Sequence, residues 1–217
     1  MSKEENIINY YLICNTLKDT IRTGWKKWNV KRERIESVAE HIYGVQQLAI
    51  GIYYEYKYDL DLKKVILMLS VHELEEVVIG DLTQFDISEE EKKKRGHKAI
   101  NEILSKTIKS QEIEELILEF DERKTKEAIF AYHCDKLEAD IQCKLYDQEN
   151  TVDIQEQLSN PILGEEKVKK EINNKENKTW SDMWLSYDKD KFIDDINFES
   201  LWKYIKNNDL TIDIDKK

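Results

Sequence analysis

Residues 62–80, LKKVILMLSVHELEEVVIG, join the most apolar run of the chain to a dense group of ionisable side chains. Apolar residues are nearly continuous up to Gly80, which predicts one helix that is buried on most sides and ends at that glycine. His72, Glu73 and Glu76 share one side of such a helix. Burying three ionisable groups costs free energy unless an opposite charge compensates them, and a cation supplies that charge.

Composition indicates an all-α fold. The chain has 217 residues, of which 40% are hydrophobic and 36% charged, with six glycines and one proline. This length suffices for one domain with a complete core. Because turn-forming residues are this scarce, an all-β fold is disfavoured.

Charge and cysteine usage limit the classes of partner. The formal net charge of −11 opposes a nonspecific grip on nucleic acid or on an anionic membrane, although a small phosphorylated ligand remains compatible with it. The longest apolar run falls short of the roughly 20 residues that span a bilayer. Cys14, Cys134 and Cys143 lack metal-binding spacing, and the first residues do not resemble a signal peptide, so we expect a cytoplasmic protein.

Helical periodicity divides the first half of the chain. Apolar residues recur at helical spacing over residues 7–21, and residues 22–25 are expected to form a loop. Ser37 and Glu40 form a capping-box pattern that predicts the start of a second helix. His41 then lies in the first turns of that helix.

Further helices are expected in the middle of the chain. Ser88 and Glu91 predict another helix start, and the run of residues 89–95 is expected to be a solvated face. Periodicity also predicts a long helix over residues 124–148.

The C-terminal part is expected to extend the core. Residues 1–150 form the predicted helical core, and residues 151–217 begin with a polar connection. Aromatic residues from Trp180 onward suggest two short helices that dock on the core by aromatic burial. Aromatic side chains that are expected to stay exposed in this tail also favour a homodimer.

Four potential metal ligands lie on three predicted helices: His41, His72, Glu73 and Asp135. Taken singly, a histidine on an apolar helix is more often a hydrogen-bonded core residue than a ligand. As a set, two imidazoles and two carboxylates suit one divalent ion of manganese, cobalt, iron, nickel, zinc or magnesium. Because no thiolate pair is present, the set indicates an open catalytic site rather than a structural zinc site.

The sequence resembles the HD-domain metal-dependent phosphohydrolases, whose pattern is a histidine, a later His-Asp pair and a distant aspartate. It looks closest to the branch of bacterial 5′-deoxynucleotidases. The matching strings run in the family's order over about residues 20–145: Arg22-Thr23-Gly24-Trp25, Glu36-Ser37-Val38-Ala39-Glu40-His41, His72-Glu73 with Glu76, Gly80-Asp81-Leu82-Thr83, and Asp135-Lys136-Leu137-Glu138. The resemblance implies a single HD-domain helical bundle with a C-terminal helical extension.

The resemblance also implies a role for each matching residue. The four potential ligands would hold one divalent metal, which would supply the nucleophile. Glu76 would transfer a proton or orient water, and Asp81 would contact the substrate or the nucleophile. Among the remaining residues, His97 and His133 match no family string and are expected to be structural.

Three further residues would bind substrate by the same resemblance. Arg22 would pair with the phosphate, Trp25 would pack against the sugar where a 2′-hydroxyl fits poorly, and Thr83 would join them. Without the resemblance, Arg22 is a charge at a helix C-terminus and Trp25 covers the core.

Glu73 departs from the family pattern, which has aspartate at this position. A glutamate ligates the same cations through oxygen, but its longer reach must be absorbed locally. The favoured activity is hydrolysis of a deoxynucleoside 5′-monophosphate. Two alternatives stay open: another HD reaction, such as triphosphohydrolysis or phosphodiester cleavage, and an inactive nucleotide-binding regulator, for which Glu73 is the support.

Overall fold

The computed structural model describes residues 1–212, and this part of the chain contains helices and connections without a strand. Helical turns cover 69% of the structure, which confirms the all-α prediction. Across residues 1–212, no helix combines the length with the apolarity that a membrane crossing requires. The α-helices are α1 (Lys3–Asn15), α2 (Thr23–Lys27), α3 (Val38–Tyr56), α4 (Leu62–Val71), α5 (Glu76–Ile79), α6 (Glu89–Ser105), α7 (Gln111–Glu122), α8 (Lys126–Gln148), α9 (Glu166–Ile172), α10 (Trp180–Asp188) and α11 (Ile196–Asn207).

Packing divides the chain into two compact units. Residues 1–26 and 34–135 form the first unit. Residues 27–33 and residues 136–212 form the second unit. The division at residue 150 that composition indicates stays a prediction.

Helix α3 begins where the capping-box pattern predicts. The Ser37 hydroxyl accepts a hydrogen bond from the Glu40 N–H at 3.3 Å, and the Glu40 carboxylate accepts one from the Ser37 N–H at 2.9 Å. These bonds satisfy donors that a helix start leaves unpaired. The buried face of α3 consists of Val38, His41, Val45, Ala49 and Ile52. His41 therefore lies on the face that the helix turns to the core.

The predicted single helix over residues 62–80 is wrong. Helix α4 stops before His72, and α5 begins only at Glu76. Between them the backbone makes i→i+3 hydrogen bonds, as from the Leu74 N–H to the Val71 carbonyl at 3.0 Å. Such tight turns project their side chains in directions that differ from those of a continuous α-helix.

The loop predicted at residues 22–25 is also wrong in part, because the chain enters α2 at Thr23. The Thr23 N–H donates to the Asp81 carboxylate at 2.5 Å. Asp81 thus satisfies an N–H at the start of α2 from a position far along the chain. Just before α2, Ile21 forms an isolated antiparallel bridge with Ser37.

Helices α6 and α7 complete the first unit. Ser88 caps α6 by accepting from the Glu91 N–H at 3.3 Å, as predicted. Helix α7 has no counterpart in the sequence predictions, although Ser110 caps it in the same manner. The two helices share a core cluster with residues of the α4–α5 region: Val71, Leu74, Ile100, Ile103, Leu104, Ile113 and Ile117.

Two glycines meet specific demands of the backbone. Gly80 ends α5 with a φ of 75°, a conformation that other residues rarely adopt, and the predicted helix stop at this residue is confirmed. Gly96 in α6 faces Glu75, and a Cβ placed there would lie 3.1 Å from the Glu75 Cγ. The missing side chain lets α6 approach the turn that carries His72 and Glu73.

The second unit is built around aromatic side chains. Helices α10 and α11 match the two short helices predicted for the tail. The rings of Trp28, Trp180 and Trp184 lie 5.8–6.4 Å apart between centroids, and Phe192 and Phe198 stack with centroids 6.3 Å apart. The polar stretch before them contains α9 and short 3-10 turns. Burial of large rings therefore supplies much of the core of this unit.

Candidate metal centre

Four ionisable side chains meet in the first unit: His41 of α3, His72 and Glu73 of the turn after α4, and Asp135 of α8. One ligand atom of each lies within 4.8 Å of the others. All four side chains are buried, with exposures of 0%, 4%, 8% and 3%. Tertiary packing thus brings together the set that the sequence singles out, although His41 and Asp135 are 94 positions apart.

Their separations suit one bound ion. His41 Nε2 lies 3.1 Å from Asp135 Oδ1, and His72 Nε2 lies 3.8 Å from Glu73 Oε1 and 4.0 Å from Asp135 Oδ1. Because ligand bonds of about 2.0–2.2 Å put two ligand atoms at most about 4.4 Å apart, these pairs fall within the reach of one ion. The mixed nitrogen and oxygen set matches hard or borderline divalent cations.

His72 presents a nitrogen that is ready to ligate. Its Nδ1 lies 2.9 Å from the Leu69 carbonyl, so we assign the proton to Nδ1 and the lone pair to Nε2. Nε2 is buried and has no hydrogen-bond partner among residues 1–212. Burial lowers the pKa of His72, despite the opposing effect of Glu73 and Asp135, and keeps the ring neutral. A neutral imidazole whose other nitrogen bonds a carbonyl is the usual form of a metal-ligating histidine.

Glu73 keeps its charge because cations face it. Burial raises its pKa, but the charges of Lys92 and Arg22 act in the opposite direction, and the pKa of Glu73 lies below its ordinary value. The nearest cation is Arg22, whose Nη1 lies 3.3 Å from Glu73 Oε1. An ionised carboxylate is therefore available to a divalent cation.

The backbone bridge at Ile21 positions Arg22 beside the cluster. The Arg22 N–H donates to the Glu36 carbonyl at 3.0 Å, which ties this segment to the residues before α3. Burial lowers the pKa of the Arg22 guanidinium, but Asp81, Glu73 and other carboxylates raise it above its ordinary value. A charged, planar donor thus lies next to the candidate metal ligands.

Glu76 lies beside the cluster without being part of it. Its side chain has no exposed surface, and its Oε1 lies 3.1 Å from Lys92 Nζ. Its other oxygen is buried and has no hydrogen-bond partner in the described chain. Burial and the charge of Glu73 raise the pKa of Glu76 well above its ordinary value, and Lys92 acts against that shift.

Lys92 is the residue of this region that the sequence predictions missed, since residues 89–95 were expected to be solvated. Its side chain is only 29% exposed and turns toward Glu76. A signal is present in the sequence: position 92 lies four and seven residues before Gly96 and Ala99, which are buried. That spacing puts Lys92 on the inner face of α6.

The predicted substrate-binding and catalytic residues occupy different surroundings. Trp25 is 2% exposed and donates its indole N–H to Glu36 Oε2 at 2.7 Å. Thr83 donates its hydroxyl to Asp86 at 2.7 Å. Asp81 accepts from the start of α2, next to Arg22. Asp81 therefore contacts the segment that carries both Arg22 and Trp25.

His97 lies outside the cluster. Its Nε2 is 2.6 Å from Asp121 Oδ2, and its side chain is about one-third exposed. This pairing fits the structural role that the sequence suggests.

Comparisons with known proteins agree with this arrangement. The sequence profile of the HD domain family matches residues 14–178. The chain is 33% identical over 153 residues to the 5′-deoxynucleotidase HDDC2 of Dictyostelium discoideum, covering 66% of this chain and 79% of that protein. It is 30% identical over 156 residues to the 5′-deoxynucleotidase hdd1 of Schizosaccharomyces pombe, covering 68% and 75%.

A solved structure shares the fold. A conserved hypothetical protein from Pyrococcus furiosus superposes with a TM-score of 0.57 at 27% sequence identity, over 66% of this chain and 81% of that one. The family match spans most of the chain, including every residue of the buried cluster. The chain therefore belongs to the HD domain family and is a metal-dependent phosphohydrolase.

Proposed function

We propose that this HD-domain phosphohydrolase removes the 5′-phosphate from deoxynucleoside monophosphates. The observation that carries the proposal is the buried cluster of His41, His72, Glu73 and Asp135 with Arg22 3.3 Å from one of its carboxylates. This arrangement unites a site for a divalent cation with a guanidinium that matches phosphate oxygens. The names of the relatives from Dictyostelium and fission yeast support the same substrate class.

The four clustered residues would hold one divalent cation, of manganese, cobalt, iron, nickel, zinc or magnesium. The orphaned Nε2 of His72 and the ionised Glu73 support this assignment. When bound, such a cation lowers the pKa of water and neutralises phosphoryl oxygens. The protein's part is to keep His72 neutral through the Leu69 carbonyl and to supply the compensating carboxylates.

Arg22 would bind the phosphate. Its guanidinium donates a hydrogen bond to Glu73 through Nη1. Because a guanidinium has five N–H donors, others can bind phosphoryl oxygens. Trp25 would set the preference for a deoxyribose, acting from its buried place beside Glu36. Thr83 would contribute from the segment after Gly80.

Glu76 and Asp81 would assist the reaction in different ways. Glu76 is the better candidate for proton transfer, since its raised pKa suits a group that holds a proton near neutrality. Asp81 would position the segment of Arg22 through its bond to the Thr23 N–H.

The test is a matrix of substrates and metals. Metal-free protein receives each of the six cations in turn, and phosphate release is measured from deoxynucleoside and ribonucleoside 5′-monophosphates, nucleoside triphosphates and a phosphodiester. We expect turnover of deoxynucleoside monophosphates to exceed that of the other classes. His72→Ala should abolish it, whereas His97→Ala, a histidine outside the cluster, should leave it near the parent level. Turnover restricted to triphosphates or diesters would contradict the proposal, and so would tight nucleotide binding without turnover.

We further propose that the chain acts in the cytoplasm as a homodimer, with an HD-type core over residues 1–150 and an extension after it. The cysteines described are free thiols, which suits a reducing compartment. Large apolar side chains of the second unit, Ile193, Ile196 and Tyr204, are 68%, 79% and 59% exposed, and a second copy would cover them. Sedimentation of the parent against an Ile196→Glu variant tests the dimer.

A further inference from the structure

We propose that Lys92 is a positioning residue of the reaction, which holds one oxygen of Glu76 so that the other stays available for proton transfer. This inference rests on the proposed function, in which Glu76 acts on the reacting groups. It assigns a role to a residue of α6 that lies outside the motif strings of the sequence.

The two oxygens of Glu76 have different surroundings. Lys92 Nζ lies 3.1 Å from Oε1, at hydrogen-bond distance. Oε2 is buried and has no hydrogen-bond partner among residues 1–212. A buried polar atom without a partner is costly, and a catalytic role is one of the reasons for which native proteins retain such an atom. The ammonium thus fixes the carboxyl plane and leaves one oxygen uncommitted.

Lys92 is itself placed by the packing of α6. Gly96, one turn further along the helix, lies against Glu75 and allows close approach to the turn between α4 and α5. The Lys92 side chain is 29% exposed, so its stem is largely covered while its ammonium reaches inward. A partly desolvated ammonium loses hydration and gains in return only if it faces carboxylates.

Comparison with the next residue, Lys93, shows that only the lysine at position 92 of this pair reaches Glu76. Lys93 has a nearly equal exposed fraction, 31%, but its Nζ bonds Glu89 at 2.9 Å and the Asp121 carbonyl at 2.9 Å. Two adjacent lysines with the same exposure therefore serve different partners. Lys93 provides a matched control.

The reaction needs a proton at a defined atom. In the hydrolysis of a phosphomonoester, the water oxygen forms a new bond to phosphorus and the bond from phosphorus to the sugar oxygen breaks. The water gives up one proton, and the leaving oxygen takes one up. Glu76 gives its proton to the leaving oxygen and takes one back from the attacking water through the oxygen that Lys92 does not hold, so the residue ends in the protonation state in which it began. A carboxyl group that rotates freely would present that oxygen for only part of the time.

The test compares Lys92→Met, Lys92→Gln, Lys92→Arg and Lys93→Met as full-length, metal-loaded proteins. We expect Lys92→Met to lower kcat for a deoxynucleoside monophosphate by about 10- to 100-fold with KM changed by less than about threefold. Lys92→Arg should recover most of the loss because it retains a charged donor. Lys93→Met should behave like the parent. Equal effects of Lys92→Met and Lys93→Met would overturn the inference.

A double-variant cycle tests whether Lys92 acts through Glu76. In a Glu76→Gln background, Lys92→Met should lower kcat by less than about twofold, since the partner that it positions is already impaired. A further loss as large as in the parent background would show that Lys92 acts independently, which overturns the inference. If Lys92→Met does not fold, Lys92→Gln takes its place in the same cycle.

A readout without turnover separates this inference from the proposed function. The urea midpoint of the metal-free protein is measured for both single variants and for the double variant. We expect the double variant to lose less than the sum of the single losses, because the pair is in contact. Additive losses would show that the two residues are not energetically coupled, which would overturn the inference. If the parent hydrolyses none of the nucleotides, the proposed function fails, whereas the coupling in urea still reports on the pair.

Discussion

Two buried carboxyl groups, Glu73 in the first unit and Asp140 in the second, have pKa values that shift in opposite directions. In the first unit, Glu73 faces the cations Lys92 and Arg22, and its pKa lies below the ordinary value despite burial. In the second unit, burial and the neighbouring carboxylate of Asp188 raise the pKa of Asp140 well above the ordinary value. A buried carboxyl group thus keeps its charge only where enough cations surround it, and elsewhere it keeps its proton.

The difference extends to the partners of the two groups. Asp140 Oδ1 accepts the indole N–H of Trp184 at 3.0 Å, a neutral donor. Lys191 lies 2.7 Å from Asp188 and forms an ion pair with that carboxylate. Near Glu73, by contrast, Arg22 and Lys92 lie on separate segments that both turn toward the acidic cluster. Glu73 of the candidate metal centre thus keeps its charge, whereas Asp140 of the second unit keeps its proton.

The largest effect should follow from removing the charge at position 73. Glu73→Gln keeps the shape but removes the negative charge, so we expect metal affinity and turnover to fall by more than about 100-fold while the helical content stays unchanged. Glu73→Asp should be milder because it keeps the charge. Metal titration by calorimetry, circular dichroism and phosphate release measure the three quantities.

The double variant supplies the control for that prediction. If Glu73 and Asp135 act as one ligand set, Asp135→Asn should add little to a site already impaired by Glu73→Gln. Parent-like metal binding in Glu73→Gln would instead show that His41, His72 and Asp135 hold the ion without it.

The next effect concerns the kind of cation beside Glu73. Arg22→Lys retains a positive charge but loses the planar fork, so we expect kcat/KM for a deoxynucleoside monophosphate to fall about 10-fold or more. The same substitution should leave metal affinity within a few-fold, because the charge near Glu73 persists. Parent-like turnover of the lysine variant would reduce the role of Arg22 to nonspecific attraction.

A smaller effect should distinguish the two tryptophan–carboxylate pairs. Trp25→Phe removes the indole bond to Glu36 and should lower the preference for deoxyribonucleotides over ribonucleotides by a few-fold, more than it lowers activity on the deoxyribonucleotides. Trp184→Phe removes the matching bond to Asp140 in the second unit and should leave the preference unchanged. The measurement is the ratio of kcat/KM for a deoxyribonucleotide to kcat/KM for the matching ribonucleotide. Equal losses of activity on both sugars would show that Trp25 has only a structural role.

The smallest effect is a change in how stability varies with pH. The raised pKa of Asp140 means that the folded state binds a proton that the unfolded state releases, so stability falls as pH rises from the unfolded carboxyl pKa toward the folded one. Asp140→Asn has no proton to lose and should flatten that fall, becoming relatively more stable toward the upper end of the window. Urea midpoints across the acid-to-neutral range test this, and an unchanged slope would contradict it.

Local sequence was sufficient for much of the framework. Ser37 with Glu40, Ser88 and Gly80 mark helix ends because capping uses residues at most a few positions apart. The all-α class and the two C-terminal helices follow from periodicity, which is likewise local. Residue type and order also singled out the four clustered side chains.

Tertiary packing decided two local features that hydrophobic periodicity does not predict. The turns between His72 and Glu76 replace a helix that the apolar pattern predicts to be continuous. The first helical N–H of α2 finds its acceptor in Asp81, 58 positions away, and so a helix forms where a loop was expected. Both depend on partners from other segments.

The sequence by itself determined which residues were available for a metal and a phosphate, because residue type sets donor chemistry. Only the tertiary structure decided which of these residues keep a proton and which charged groups surround them. Lys92 reaches Glu76 from another helix, and Glu73 stays ionised only because several segments bring cations to it. Asp140 is similarly acidic in sequence but meets Asp188 instead and retains a proton. The physical reason is that burial and nearby charge act through space, over distances that no local pattern encodes.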